Sequence, residues 1–122
     1  MVPDSGGTFF LPRLVGWQKA SALMMLSEKI TADEAEKMGM IYKCYNDDEF
    51  SSASESLAEK LSKMATRGLA YTKKALQWSS THTIYEQLQN EDKLQQWAAA
   101  THDFKEGVQA FVEKRQPDFK GE

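Results

Sequence analysis

Thr31-Ala32-Asp33-Glu34-Ala35-Glu36-Lys37-Met38-Gly39, followed by Met40-Ile41-Tyr42-Lys43-Cys44-Tyr45, is the stretch on which the fold class turns. It opens as a capping box: the Thr31 hydroxyl can accept from the Glu34 amide, and the Glu34 carboxylate can reach back to the Thr31 amide. The helix so started is short, because Gly39 is a natural left-handed stop. Residues 41–45 are then the only convincing strand candidate.

Outward from there the signals are helical. Upstream, residues 8–14 are short and apolar and are broken by Pro12. Gly16 leads into a helix over 17–27 with Trp17, Ala20, Leu23 and Met24 on one side. Downstream, Asn46-Asp47-Asp48 turns into a helix carrying Ala53, Leu57, Ala58, Leu61, Met64 and Ala65 on one face. Gly68 separates it from a helix over 69–78. Thr83-Ile84-Tyr85-Glu86 is a second capping box. It opens a long polar helix with few apolar anchors, Ile84, Leu88, Leu94 and Trp97, which suits a surface or an interface. A last helix holds Phe104, Val108, Phe111 and Val112 on one face and is stopped by Pro117. The expectation is a mainly α chain of about six helices and one short strand.

Composition excludes several classes. Hydrophobic residues make up 41% and charged residues 27% of the 122, which is globular rather than disordered composition. The net charge of −3 and the absence of a basic stripe argue against nucleic acid as a partner. The longest apolar run, Leu23-Met24-Met25-Leu26, is far too short to span a bilayer, so no membrane partner is expected. No secretory leader pattern follows Met1. The single Cys44 cannot pair within the chain and reads as a buried, inert thiol in a reducing, cytoplasmic compartment. His82 and His102 are isolated from each other and from Cys44, so no metal site is expected. Gly6-Gly7 lacks the Gly-Lys-Ser/Thr that would make it a phosphate cradle.

Three segments together carry a resemblance. They are Pro3-Asp4-Ser5-Gly6-Gly7-Thr8 with Leu11-Pro12-Arg13-Leu14-Val15-Gly16; the run from Ala20 to Tyr45; and Glu106-Gly107-Val108-Gln109-Ala110-Phe111-Val112-Glu113-Lys114-Arg115-Gln116-Pro117-Asp118-Phe119-Lys120-Gly121. In that order and with those gaps the chain resembles the C-terminal helical half of the crotonase, or enoyl-CoA hydratase/isomerase, superfamily. Its opening turn is most like the branch of 1,2-epoxyphenylacetyl-CoA isomerases and enoyl-CoA isomerases.

The resemblance implies an organisation and a chemistry. Residues 1–45 would be the end of the crotonase core, with the acyl-pocket turn. Residues 46–122 would be a helical region for oligomerisation and coenzyme A contact. The activity would be a double-bond shift or hydration next to a CoA thioester, in fatty acid or phenylacetate degradation. The thioester is then the substrate, with no separate cofactor. The partners would be an acyl-CoA and further copies of the chain, as trimers or hexamers. The oxyanion hole, usually the largest share of such catalysis, lies in the family's N-terminal half. These 122 residues alone are therefore expected to be inactive.

Three residues carry the candidate site. Asp4 stands where relatives that shift double bonds carry Asp or Glu, and a carboxylate suits an acid/base that takes a proton at one carbon and returns it at another. Desolvation on an apolar wall would raise its pKa for that task. Asp before Ser-Gly-Gly is also ordinary turn and N-cap punctuation. Phe111 and Lys114, three apart on the last helix, match residues that contact the adenine and phosphate end of coenzyme A in the family. A core Phe beside a solvated Lys is the plain alternative. A reading of another class also stands: a helical oligomerisation or interaction module without catalysis, suited to the polar 86–96 stretch.

Overall fold

The computed structural model describes residues 2–122. Among them are seven helices and no strand: α1 (Gly7–Val15), α2 (Trp17–Leu26), α3 (Ala32–Lys37), α4 (Asp47–Ser62), α5 (Thr66–Ser79), α6 (Ile84–Ala99) and α7 (His102–Glu113). They form two compact units, Met1–Phe50 and Ser51–Glu122. The boundary falls inside α4, whereas the sequence reading divides the chain at 45/46.

In the first unit, α1 packs against α2 and buries Ala20. Pro12 lies inside α1 rather than breaking it. Proline there removes the amide that would serve the Thr8 carbonyl. The next residue holds the same turn: the Arg13 guanidinium lies 3.6 Å from the Phe9 ring centroid and donates from Nη1 to the Phe9 carbonyl at 2.7 Å. The capping box of α3 forms as read. The Glu34 amide donates to Thr31 Oγ1 at 3.2 Å, and the Thr31 amide donates to Glu34 Oε2 at 2.8 Å. Gly39 then turns left-handed with φ 79°.

The expected strand at 41–45 does not form, for a reason visible in its amides. Those of Met40 and Ile41 fold back onto the Ala35 carbonyl at 2.9 and 3.4 Å, and that of Cys44 donates to Glu36 Oε2 at 2.7 Å. A lone extended segment has no ladder partner, so its backbone groups satisfy themselves locally.

In the second unit, α5 lies against α6, and α6 meets α7. The break between α4 and α5 falls at residues 63–65, not at Gly68, which sits in the first turn of α5. Gln87 of α6 ties the pair, donating from Nε2 to the Ala75 carbonyl at 3.4 Å and to Glu91 Oε1 at 2.8 Å. The Thr83 capping box is complete. Along α6, Leu94 is buried while Ile84, Leu88 and Trp97 are exposed. Thr101 caps α7: its Oγ1 accepts from the Phe104 amide at 3.1 Å and donates to the Ala98 carbonyl at 2.6 Å.

Candidate functional site

Asp4 belongs to the first unit, in the turn before α1. The backbone reverses through two left-handed residues, Ser5 at φ 53° and Gly6 at φ 82°. Gly6 is needed there: a Cβ would stand 3.0 Å from the Phe10 ring. The Asp4 carbonyl accepts the Gly7 amide at 2.9 Å, closing the turn through the backbone. The carboxylate takes no part in that closure. Among the described residues it accepts a 3.1 Å bond from the Ser5 hydroxyl and no other, and the N-cap of α1 is Gly6, with no side-chain cap bond. Asp4 is exposed, so this chain alone does not supply the desolvating wall that acid/base work would use.

Phe111 and Lys114 belong to the second unit, at the end of α7. The Phe111 side chain is 85% exposed. It lines an apolar cavity of about 430 Å³ with Ala65, Gly68, Phe104, Gly107 and Phe119. The spacing argument that puts Lys114 on the same helix face stops one residue short. α7 ends at Glu113, and Lys114 turns left-handed at φ 56°, so its direction is set by that turn rather than by helical register.

The electrostatics of this end were not legible as a site. Glu106 accepts two bonds from the Arg115 guanidinium, at 2.6 and 2.9 Å, and one from the Asp118 amide at 2.8 Å. The guanidinium and that amide hold its carboxyl far below the usual range, at about 2. Asp103, 2% exposed, accepts the amides of Lys120 and Gly121 at 2.8 and 2.7 Å. Those amides lower its pKa against the opposing effect of burial.

The remaining candidates are local. Cys44 is half-buried rather than buried. Carboxylates of Glu36 and Asp33 push its thiol up to about 11, with Sγ donating to Asp33 Oδ1 at 3.3 Å. His82 stacks on Trp78 at 3.7 Å between centroids, with Nδ1 2.8 Å from the Trp78 carbonyl. His102 lies 3.4 Å from Asp103. Among the described residues no group of three or more His, Cys, Asp and Glu could hold a metal ion.

Against known proteins, the family model described as enoyl-CoA hydratase/isomerase matches residues 1–122. The chain belongs to that family. It is 36% identical over 121 residues to the 1,2-epoxyphenylacetyl-CoA isomerase of Escherichia coli K12, covering 99% of this chain and 46% of that protein. It is 39% identical over 121 residues to a probable enoyl-CoA hydratase of Rhodobacter capsulatus, covering 99% of this chain and 47% of the relative. The crystal structure of an enoyl-CoA hydratase from Bacillus anthracis superposes with TM-score 0.93 at 31% identity, over 100% of this chain and 47% of that one. The chain thus spans about half the length of the curated relatives it matches, and its helices are those of the crotonase fold.

Proposed function

We propose that this chain is the C-terminal part of an acyl-CoA-processing enzyme that shifts or hydrates a double bond beside the thioester, with Asp4 as its acid/base. The observation that carries the reading is the exposed Asp4 carboxylate, whose partner among the described residues is the adjacent Ser5 hydroxyl. The turn is closed by backbone groups and the helix is capped by Gly6, so neither needs the side chain. An exposed carboxylate that neither closes its turn nor caps its helix can be presented to a substrate. The likeness to the E. coli isomerase supports the double-bond shift, and the likeness to the R. capsulatus probable hydratase supports the hydration. The wall that desolvates Asp4 and the amides of the oxyanion hole would come from sequence equivalent to the other half of the relatives.

In this reading Phe111 offers a ring to the adenine and Lys114 an ammonium to a phosphate. Exposed apolar side chains such as Trp17, Met25 and Tyr42 support burial against further sequence or further copies; trimers or hexamers are the assemblies proposed. Among the described residues no helix is long and apolar enough to cross a membrane; a cytoplasmic location belongs to the proposal.

The test is Asp4→Asn in an active enzyme containing these residues. A positioned acid/base is worth about 10²–10⁴-fold in rate, so turnover of an enoyl-CoA should fall by that order with coenzyme A affinity unchanged. Asn and Asp rank together as caps. Turnover within about twofold of the parent would return Asp4 to the turn.

A further inference from the structure

Lys114 stands where helix endings favour glycine. At φ 56° and ψ 37° it occupies a left-handed conformation that glycine adopts freely and a residue with a Cβ does not. Such a conformation persists only where the surroundings over-determine it, and the surroundings here are a strap. After Lys114 the chain folds back along α7. The Arg115 amide closes on the Ala110 carbonyl at 3.0 Å. The Arg115 guanidinium forks onto both oxygens of Glu106 at 2.6 and 2.9 Å and reaches Glu113 Oε2 through Nε at 2.6 Å. Glu106 also takes the Asp118 amide, and Asp103 takes those of Lys120 and Gly121. Between the two carboxylates the Phe119 ring lies over Gly107, where an added Cβ would meet it at 3.4 Å.

We propose that Glu106 and Asp103 are positioning residues: by clamping residues 115–122 they hold Lys114 in its left-handed turn and so fix the direction in which its ammonium leaves α7. The proposal rests on the reading of Lys114 as a coenzyme A contact. A bidentate guanidinium–carboxylate pair fixes angle as well as distance, which a single ammonium does not. Arg115 is the residue directly after Lys114, so its fork sets the backbone turn between them. Asp103, three residues before Glu106, keeps the far end of the strap from peeling away.

The experiment is a mutant cycle on an active enzyme containing these residues, reading KM and kcat for an enoyl-CoA. The variants are Glu106→Gln, Arg115→Lys, Asp103→Asn and Lys114→Ala, with Glu106→Gln and Arg115→Lys also placed in the Lys114→Ala background. Glu106→Gln and Arg115→Lys should each raise KM about fivefold with kcat held, and should add nothing once Lys114 is alanine. Arg115→Lys keeps the charge at a partly exposed position, so it reports even if a carboxylate variant fails to fold. KM effects that persist in full in the Lys114→Ala background would overturn the positioning role, as would unchanged KM in both single variants. Lys114→Ala with unchanged KM would overturn the coenzyme A reading itself, and the positioning role with it.

Discussion

Replacing Lys114 with glycine should make the protein more stable and a poorer binder of coenzyme A at once. The structure supplies the terms. Lys114 sits at φ 56° and ψ 37° as the C-cap of α7. A left-handed conformation costs a residue with a Cβ about 1–2 kcal/mol. Glycine removes that cost but loses more freedom on folding, returning about 0.5–1 kcal/mol. The net gain is about 0.5–1 kcal/mol, or a rise in melting temperature of about 2–4 °C for a chain of this length. Lys114→Ala is the matched control: it loses the ammonium yet keeps the Cβ and its strain, so its melting temperature should stay near the parent's. Circular dichroism melts at pH 7 compare the three proteins, and KM for an enoyl-CoA should rise equally in both variants. If Lys114→Gly melts no higher than Lys114→Ala, the turn stores no strain, and the clamp at Arg115 has nothing to hold in place.

Where the fold was legible, one local rule decided each feature. Both capping boxes formed because a hydroxyl and a carboxylate three residues apart satisfy two helix amides without help from elsewhere. Gly39 turned left-handed because only there does the chain leave α3. The errors came where tertiary context outweighed a local signal. Residues 41–45 have strand-like composition, but among the described residues no strand meets their amides, and those of Ile41 and Cys44 turn back to Ala35 and Glu36. Pro12 and Gly68 read as breakers and are not. Pro12 is held within α1 by packing and by the Arg13 contact, and Gly68 lies in a first turn, where few intrahelical bonds depend on it.

The site was legible in part, and for a different reason. Asp4, Phe111 and Lys114 were singled out through a family resemblance, because periodicity puts Phe111 on a helix face without saying what it touches and says nothing of Asp4 or Lys114. Asp103 and Glu106 escaped notice because acidic residues three apart on a polar helix face look like ordinary solvated surface. Only the folding back of residues 115–122 shows that one is buried and that both serve backbone amides. The signal that could have found them is the pairing of Glu106 with Arg115 across a helix end followed by Pro117. A carboxylate one turn inside a helix can catch the chain that proline forces to leave it.

Three further outcomes test these arguments. Thr101→Ala should cost about 1 kcal/mol in urea unfolding, through loss of the cap bond to the Phe104 amide, and Thr101→Ser should recover most of it; no change for Ala would mean the cap is idle. Iodoacetamide should modify Cys44 at pH 8 about tenfold more slowly than a free thiol, since its carboxylate neighbours push it up to about 11, and Glu36→Gln should speed the reaction; a rate equal to a free thiol would refute that environment. The strap should open with acid, and the sign follows from its carboxylates. Glu106 falls from the usual 4.5 to about 2 and Asp103 moves below its usual 3.8, so the native state binds these protons less readily than the unfolded chain. Their stabilisation is complete above about pH 5 and is lost as pH falls through 4.5 toward about 2. Glu106→Gln cannot ionise at that position, so it should melt well below the parent at pH 7 and close to it near pH 2. A gap between the two proteins that stays constant from pH 7 to pH 2 would show that the Glu106 carboxylate is not what holds the strap.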